Sequence, residues 1–113
     1  MTSYSRGYYG EKKTRQQLEA DGYWCCEARG SHGVADLVAI KPGQILLVQV
    51  KRTTSGRLVP RERQALVELA DKLWAEPIVA YQPKTRGPIM FRRLLSAALN
   101  DHEDWVSDEV GAA

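Results

Sequence analysis

From Val34 to Arg52 the chain reads VADLVAIKPGQILLVQVKR, two apolar runs folded about Pro42 and Gly43. Pro presets one central φ of a turn, and Gly accepts the positive φ that a type II turn demands next. The pattern predicts a β-hairpin. Symmetric pairing about that centre sets Lys41 opposite Gln44 and Ile40 opposite Ile45, and so outward until Asp36 faces Gln49. Because side chains alternate, one face carries Asp36, Val38, Ile40, Ile45, Leu47, Gln49 and Lys51. The other carries Leu37, Ala39, Leu46, Val48, Val50 and Arg52. Both faces are mostly apolar, as in strands covered by helices on two sides.

The same reading extends along the chain. Residues from about Ser5 to Asp21 are polar and rich in helix formers, with Gly22 as a stop. YWCCEAR (23–29) predicts a strand, and Gly30-Ser31-His32-Gly33 a loop. After the loop TTSGRLV, Pro60 fits the first turn of a second helix. Leu66, Leu69, Ala70, Leu73 and Trp74 fall on one helical stripe there. IVAY (78–81) predicts another strand, QPKTRGP a turn, IMFRR a short edge strand and LLSAALN a last helical turn or two. The core order is α-β-β-β-α-β. A helical crossover makes the strands it joins parallel, so the expected fold is α/β with a mixed sheet.

Length and charge refine this. The 113 residues, 43% hydrophobic, suffice for one domain, taken as residues 1–99, followed by an acidic tail, 100–113, expected to be loose. The formal net charge is only +2, but from Leu94 onward there are five acids and no Lys or Arg. Residues 1–93 thus carry a net seven positive charges, which suits a polyanionic partner. No run is long and apolar enough for a membrane helix and the first residues lack a signal-peptide core, so a soluble cytoplasmic protein is expected. Cys25 and Cys26 are adjacent in a strand, hence on opposite faces, and read as two reduced thiols.

Polar groups converge at the open end of the hairpin. Asp36 and Gln49 are expected about 5 Å apart, with Lys51 about 6.6 Å further along. Burying them unpartnered would be costly. A carboxylate and an amide oxygen, with the Val50 carbonyl as a third ligand, form a site for a hard cation such as Mg²⁺ or Mn²⁺. Lys51 stands where an amine can activate a nucleophile or stabilise developing phosphorane charge. A plain Lys–Asp pair beside a hydrogen-bonded Gln is the competing reading. Glu11 bears on the choice, since Tyr4, Tyr8, Glu11 and Leu18 share one stripe of the first helix and point the glutamate inward.

Arg6-Gly7-x-x-x-Glu11, then Gly30-Ser31-x-Gly33-x-x-Asp36-Leu37-Val38-Ala39, then Val48-Gln49-Val50-Lys51 together resemble the archaeal-type Holliday junction resolvases. These belong to the restriction-endonuclease-like PD-(D/E)xK nuclease superfamily. The likeness runs from about Arg6 to Tyr81. It implies that Glu11 is the helix carboxylate, Asp36 the central metal ligand, Lys51 the catalytic lysine and Ser31 a loop serine near the scissile phosphate. Gln49 departs from the usual Glu, which removes one negative charge and predicts weaker metal affinity. Arg6, Lys12, Lys13, Arg15, Arg29, Arg52 and Arg57, together with Arg61 and Arg63, then become candidate phosphate contacts. His32 is a loop histidine beside the site, and His102 has no evident partner.

The expected activity is metal-dependent, structure-specific cleavage of branched DNA by a homodimer, since resolution needs two incisions and one small domain offers one site. Exposed apolar residues of the second helix or of IMFRR are candidates for the dimer interface. Competing readings are a related nuclease acting on flaps, ends or duplex, a DNA-binding module that has lost its metal, and a protein-interaction domain with an acidic arm.

Overall fold

The computed structural model describes residues 3–107, with side chains from Gly10 onward. The side chains of Tyr4, Arg6 and Tyr8, and the acids Asp108 and Glu109, lie outside the described residues.

Among the described residues two α-helices and six strands follow in the order α1 (Ser3–Ala20), β1 (Trp24–Glu27), β2 (Leu37–Lys41), β3 (Gln44–Val50), α2 (Pro60–Lys72), β4 (Glu76–Tyr81), β5 (Met90–Leu94) and β6 (His102–Trp105), with a 3-10 turn at Arg29–Ser31 between β1 and β2. They form one sheet in sequential order, β1 to β6. Among the described residues only β3 and β4, joined through α2, pair in parallel. This is the expected mixed α/β architecture. No helix among the described residues is long and apolar enough to cross a membrane.

Alternation divides the hairpin between two cores as the sequence requires. Leu37, Ala39, Leu46 and Val48 join Leu18 of α1, Tyr23 and Cys25 on one side of the sheet. Leu47 and Val79 meet Leu66 and Ala70 of α2 on the other. Each fully buried Leu or Val contributes about 1.5 to 3 kcal/mol relative to exposure, which is what pins the register. Cys25 is buried and Cys26 half-buried, both as free thiols, and burial pushes the Cys25 thiol up to about 11.

The hairpin register is the predicted one from Lys41↔Gln44 to Leu37↔Val48. It does not continue to an Asp36–Gln49 pair. The Asp36 N–H donates to the Val48 carbonyl at 2.8 Å, and the Asp36 carboxylate accepts the Val50 N–H at 2.7 Å. A side chain thus replaces the backbone carbonyl at the end of the ladder.

Three other expectations change. The stripe on α2 ends early: the helix stops at Lys72, and Trp74 sits at φ +55°, 92% exposed. Its N–H donates to Asp71, and the Ala75 N–H to Ala70 at 2.8 Å, which is the Schellman pattern of helix termination. LLSAALN forms no helix; Leu94 closes β5 and the rest makes bends and turns, tied by Leu95 N–H to the Asp101 carbonyl at 2.9 Å. The acidic segment from residue 100 is not a loose appendage as far as Ser107, because His102–Trp105 pairs with β5 as β6. Arg93 explains why acids are accepted there, donating to Glu76 at 2.9 Å and to Glu103. Trp105 adds apolar cover, its ring meeting Phe91 edge-on with centroids 5.4 Å apart.

Candidate active site

Of the expected site residues, Asp36, Gln49, Val50 and Lys51 lie at the open end of the β2–β3 hairpin, Glu11 on α1 and Ser31 in the loop before β2. Asp36 immediately precedes β2, and its carboxylate is fixed through Oδ2 to the Val50 N–H. Burial raises its pKa against two opposing effects, that hydrogen bond and the charge of Lys51. Glu11, on α1, is also raised, first by burial, then by the carboxylates of Asp36 and Glu27. The two acids therefore sit within electrostatic reach of each other, from α1 and from the sheet end.

Gln49 pairs with Val79 of β4 and so shares the α2 side of the sheet. Its Oε1 is buried and accepts no hydrogen bond among the described residues. An unmade bond at a buried amide oxygen costs about 1 to 3 kcal/mol, so the atom fits a role as a ligand better than a role in packing. Lys51 follows β3, its N–H donating to the Ala80 carbonyl at 2.8 Å. Its ammonium donates to both carboxylate oxygens of Glu62, at 3.2 and 3.4 Å.

Glu62 escaped the sequence reading. It stands in the first turn of α2, where its Oε1 also accepts the Val59 N–H at 3.2 Å. Burial raises its pKa, but the Val59 and Lys51 hydrogen bonds and the Lys51 charge outweigh this and leave it lowered. Its capping position three residues after Val59 was legible; the pairing with Lys51 required the parallel β3–α2–β4 crossover. Glu27 was also missed. It lines a cleft of about 220 Å³ with Glu11, Lys12, Arg15 and Leu37.

The loop serine is held in place. Ser31 Oγ lies 2.6 Å from the Ala28 carbonyl and 2.9 Å from that of Ala35, and it accepts the Ala35 N–H at 3.1 Å. It staples the loop that delivers Asp36. His32 takes φ +55° and is exposed.

Oxygen donors from Glu11, Asp36 and Gln49, with the Val50 carbonyl, are the kind that Mg²⁺ and Mn²⁺ accept. The orphaned Gln49 oxygen, and separately the Asp36 carboxylate with Glu11 in electrostatic reach, are donors of that chemistry. Among the described residues no group of three Asp, Glu, His or Cys is arranged to hold a metal.

The candidate phosphate contacts fall into groups. Lys12 is exposed beside Glu11, and Lys13 is half-buried on the same helix. Arg15 bonds the Cys25 carbonyl at 3.1 Å and Glu19 at 3.4 Å, pinning α1 to β1. Arg29 pairs with Glu27 at 2.7 Å. Arg52, Arg57 and Arg61 are exposed, whereas Arg63 is 5% exposed and donates to the Asp101 carbonyl. The side chain of Arg6 lies outside the described residues.

Comparison with known proteins bears on the family and the fold. A family model described as archaeal Holliday junction resolvase (Hjc) matches residues 2–112. The fold is similar to that of the Archaeoglobus fulgidus Hjc, a Holliday junction resolvase from an archaeal hyperthermophile. The TM-score is 0.65 at 24% identity, over 76% of this chain and 70% of that one. No curated protein matches. The chain belongs to the archaeal Holliday junction resolvase family.

Proposed function

We propose that this protein is a divalent-metal-dependent endonuclease that resolves four-way DNA junctions by hydrolysing phosphodiesters, acting as a homodimer. The observation that carries the metal reading is the buried Gln49 oxygen left without a donor among the described residues, together with two half-buried carboxylates, Glu11 and Asp36, within electrostatic reach of each other. Glu11, Asp36, Gln49 and the Val50 carbonyl would hold Mg²⁺ or Mn²⁺. Such an ion supplies Lewis-acid charge stabilisation and a more acidic attacking water.

The chain's own residues do the rest. The Val50 N–H fixes the Asp36 carboxylate in one orientation. Lys51 presents an ammonium to the charge that develops on the phosphoryl oxygens, and Glu62 limits the positions that ammonium can take. Ser31 keeps the preceding loop closed. Lys12, Lys13, Arg52 and Arg57 supply phosphate contacts that position the duplex without reading sequence. Two symmetry-related sites in a homodimer account for paired incisions. The exposed Leu73 and Trp74 at the end of α2 and Met90 on β5 are apolar surface available to such a contact.

A second reading, a DNA-binding module without cleavage, draws on the amide at position 49, which leaves no three-acid metal group among the described residues. The test is cleavage of labelled four-way junction, flap and linear duplex with Mg²⁺, with Mn²⁺ and with chelator, beside Asp36→Asn and Lys51→Ala. Symmetric, metal-dependent nicking confined to junctions and lost in both variants is expected. Cutting of all three substrates alike would point to a broader nuclease. Junction binding without cleavage under any divalent ion would establish the second reading. Gln49→Glu restores a charge and is expected to tighten metal binding roughly tenfold, as ligand charge tunes such sites.

A further inference from the structure

On the α2 side of the sheet, Gln49, Val79 and Arg92 lie side by side in register across β3, β4 and β5. Two strand spacings, roughly 10 Å, separate the backbone of Arg92 from that of Gln49. Beyond Val79 the sheet borders a cleft of about 70 Å³ lined by Arg57, Leu58, Arg63, Arg92, Leu94 and His102.

The three guanidinium groups are brought there by different elements. Arg92 stacks over the Tyr81 ring at 4.3 Å and donates to the Ser55 carbonyl at 2.6 Å, drawing the 55–58 loop onto the sheet. The loop can come this close because residue 56 is glycine, at φ +65°; a Cβ there would fall 2.5 Å from the Tyr81 ring. Arg57 is exposed, and its guanidinium meets no acceptor among the described residues. Arg63 comes from the first turns of α2, next to the Glu62 that holds Lys51. It is 5% exposed; its Nη2 donates to the Asp101 carbonyl, while its Nε is buried without an acceptor among the described residues.

A buried N–H of a guanidinium left without an acceptor is costly, so a fold that keeps one usually has a use for it. His102 reports the convergence. Burial first, then the charges of Arg92, Arg63 and Arg57, lower its proton affinity, while Asp104 works in the opposite direction. Asp101 also borders Arg63, but its carboxylate takes the hydroxyl of Ser96. Cationic forks around a neutral imidazole, with one buried N–H unfilled, match a phosphate group, whose oxygens accept from several directions.

We propose that this cleft is a second phosphate-binding site, which grips a DNA backbone phosphate away from the one being cleaved. The proposal rests on the reading of the chain as a DNA-acting protein. The first turn of α2 links the two sites, with Glu62 directed to Lys51 and Arg63 directed into the cleft.

The test measures junction affinity against salt in an Asp36→Asn background, beside Arg57→Gln and Arg92→Gln. Each variant is expected to raise Kd threefold to tenfold and to reduce the slope of log K against log salt by about one. Arg57→Gln forfeits no side-chain hydrogen bond among the described residues, so it remains informative if loss of Arg92 loosens the loop. In the full-length protein, a short duplex is expected to shift the His102 ring resonances and raise its pKa, and Arg92→Gln to abolish that response. Unchanged slopes and affinities within twofold in both variants would overturn the proposal. So would a His102 response to inorganic phosphate but none to DNA. A lost slope in a protein that cuts no DNA leaves this contact standing and removes the nuclease reading. Intact slopes with metal-dependent cleavage do the reverse.

Discussion

Gln49, Asp36 and Glu11 show how one atom changes the behaviour of a site. In the proposed site, Glu at position 49 would add a third carboxylate to Glu11 and Asp36, both raised chiefly by burial. A carboxyl whose folded pKa exceeds its unfolded value holds its proton more tightly in the fold, so ionising it costs stability. The penalty is full above the folded values and vanishes as pH falls below the unfolded values near 4.5 and 3.8. Glu62, being lowered, works oppositely: its stabilisation is present above 4.5 and fades as pH falls through its folded value. Metal-free protein titrated with denaturant from pH 7 downward is therefore expected to gain stability from Glu11 and Asp36 before acid unfolding begins. Glu11→Gln and Asp36→Asn should be more stable than the parent at pH 7 and should lose that gain. A parent and variants with superimposable pH profiles would contradict the burial argument. Metal affinity should rise with pH across the same interval, because the ion displaces those protons.

The elements that carry these residues are positioned by their ends. β2 delivers Asp36 only because its ladder stops at Leu37, and α2 delivers Glu62 and Arg63 only because it begins at Pro60. The other end of α2 carries a strained residue. Trp74 occupies the left-handed position that glycine normally fills, and it has almost no contact to compensate. Trp74→Gly is expected to stabilise the isolated protomer by about 1 kcal/mol, read as a higher denaturation midpoint at low protein concentration. A lower midpoint that also becomes independent of protein concentration would instead give Trp74 a place in the interface between copies.

At the scale of the whole molecule, the acidic end completes the sheet. β6 covers Phe91 with Trp105, offers Glu103 to Arg93 and brings His102 to the arginine cleft. Ser107 reaches back to the Asp21 carboxylate after α1. Removal of residues 101–113 strips the Asp101 carbonyl from buried Arg63 and exposes the flank of β5. The expected loss is about 2 to 3 kcal/mol, a fall in Tm of roughly 10 °C by thermal melting. A truncated chain that melts with the full one would restore the picture of a loose tail.

The sequence alone determined what depends on neighbours in the chain and on periodicity. Pro42 and Gly43 set the turn, alternation divided Leu37 and Val48 from Leu47, and the 3.6-residue stripe placed Leu66, Leu69 and Ala70. From these the α/β fold and the family followed, as did the place of Asp36, Gln49 and Lys51 at the open end of the hairpin. HEDW, short and polar, has no pattern that marks a strand, so β6 depended on a partner, Arg93, that only folding brought alongside. Tertiary structure also decided that the Asp36 side chain ends the ladder, that Glu62 holds Lys51, and that Arg63 is buried facing a cleft with Arg92 and His102. These contacts join residues distant in sequence across two cores. Their energies depend on burial and on distances that no local pattern encodes.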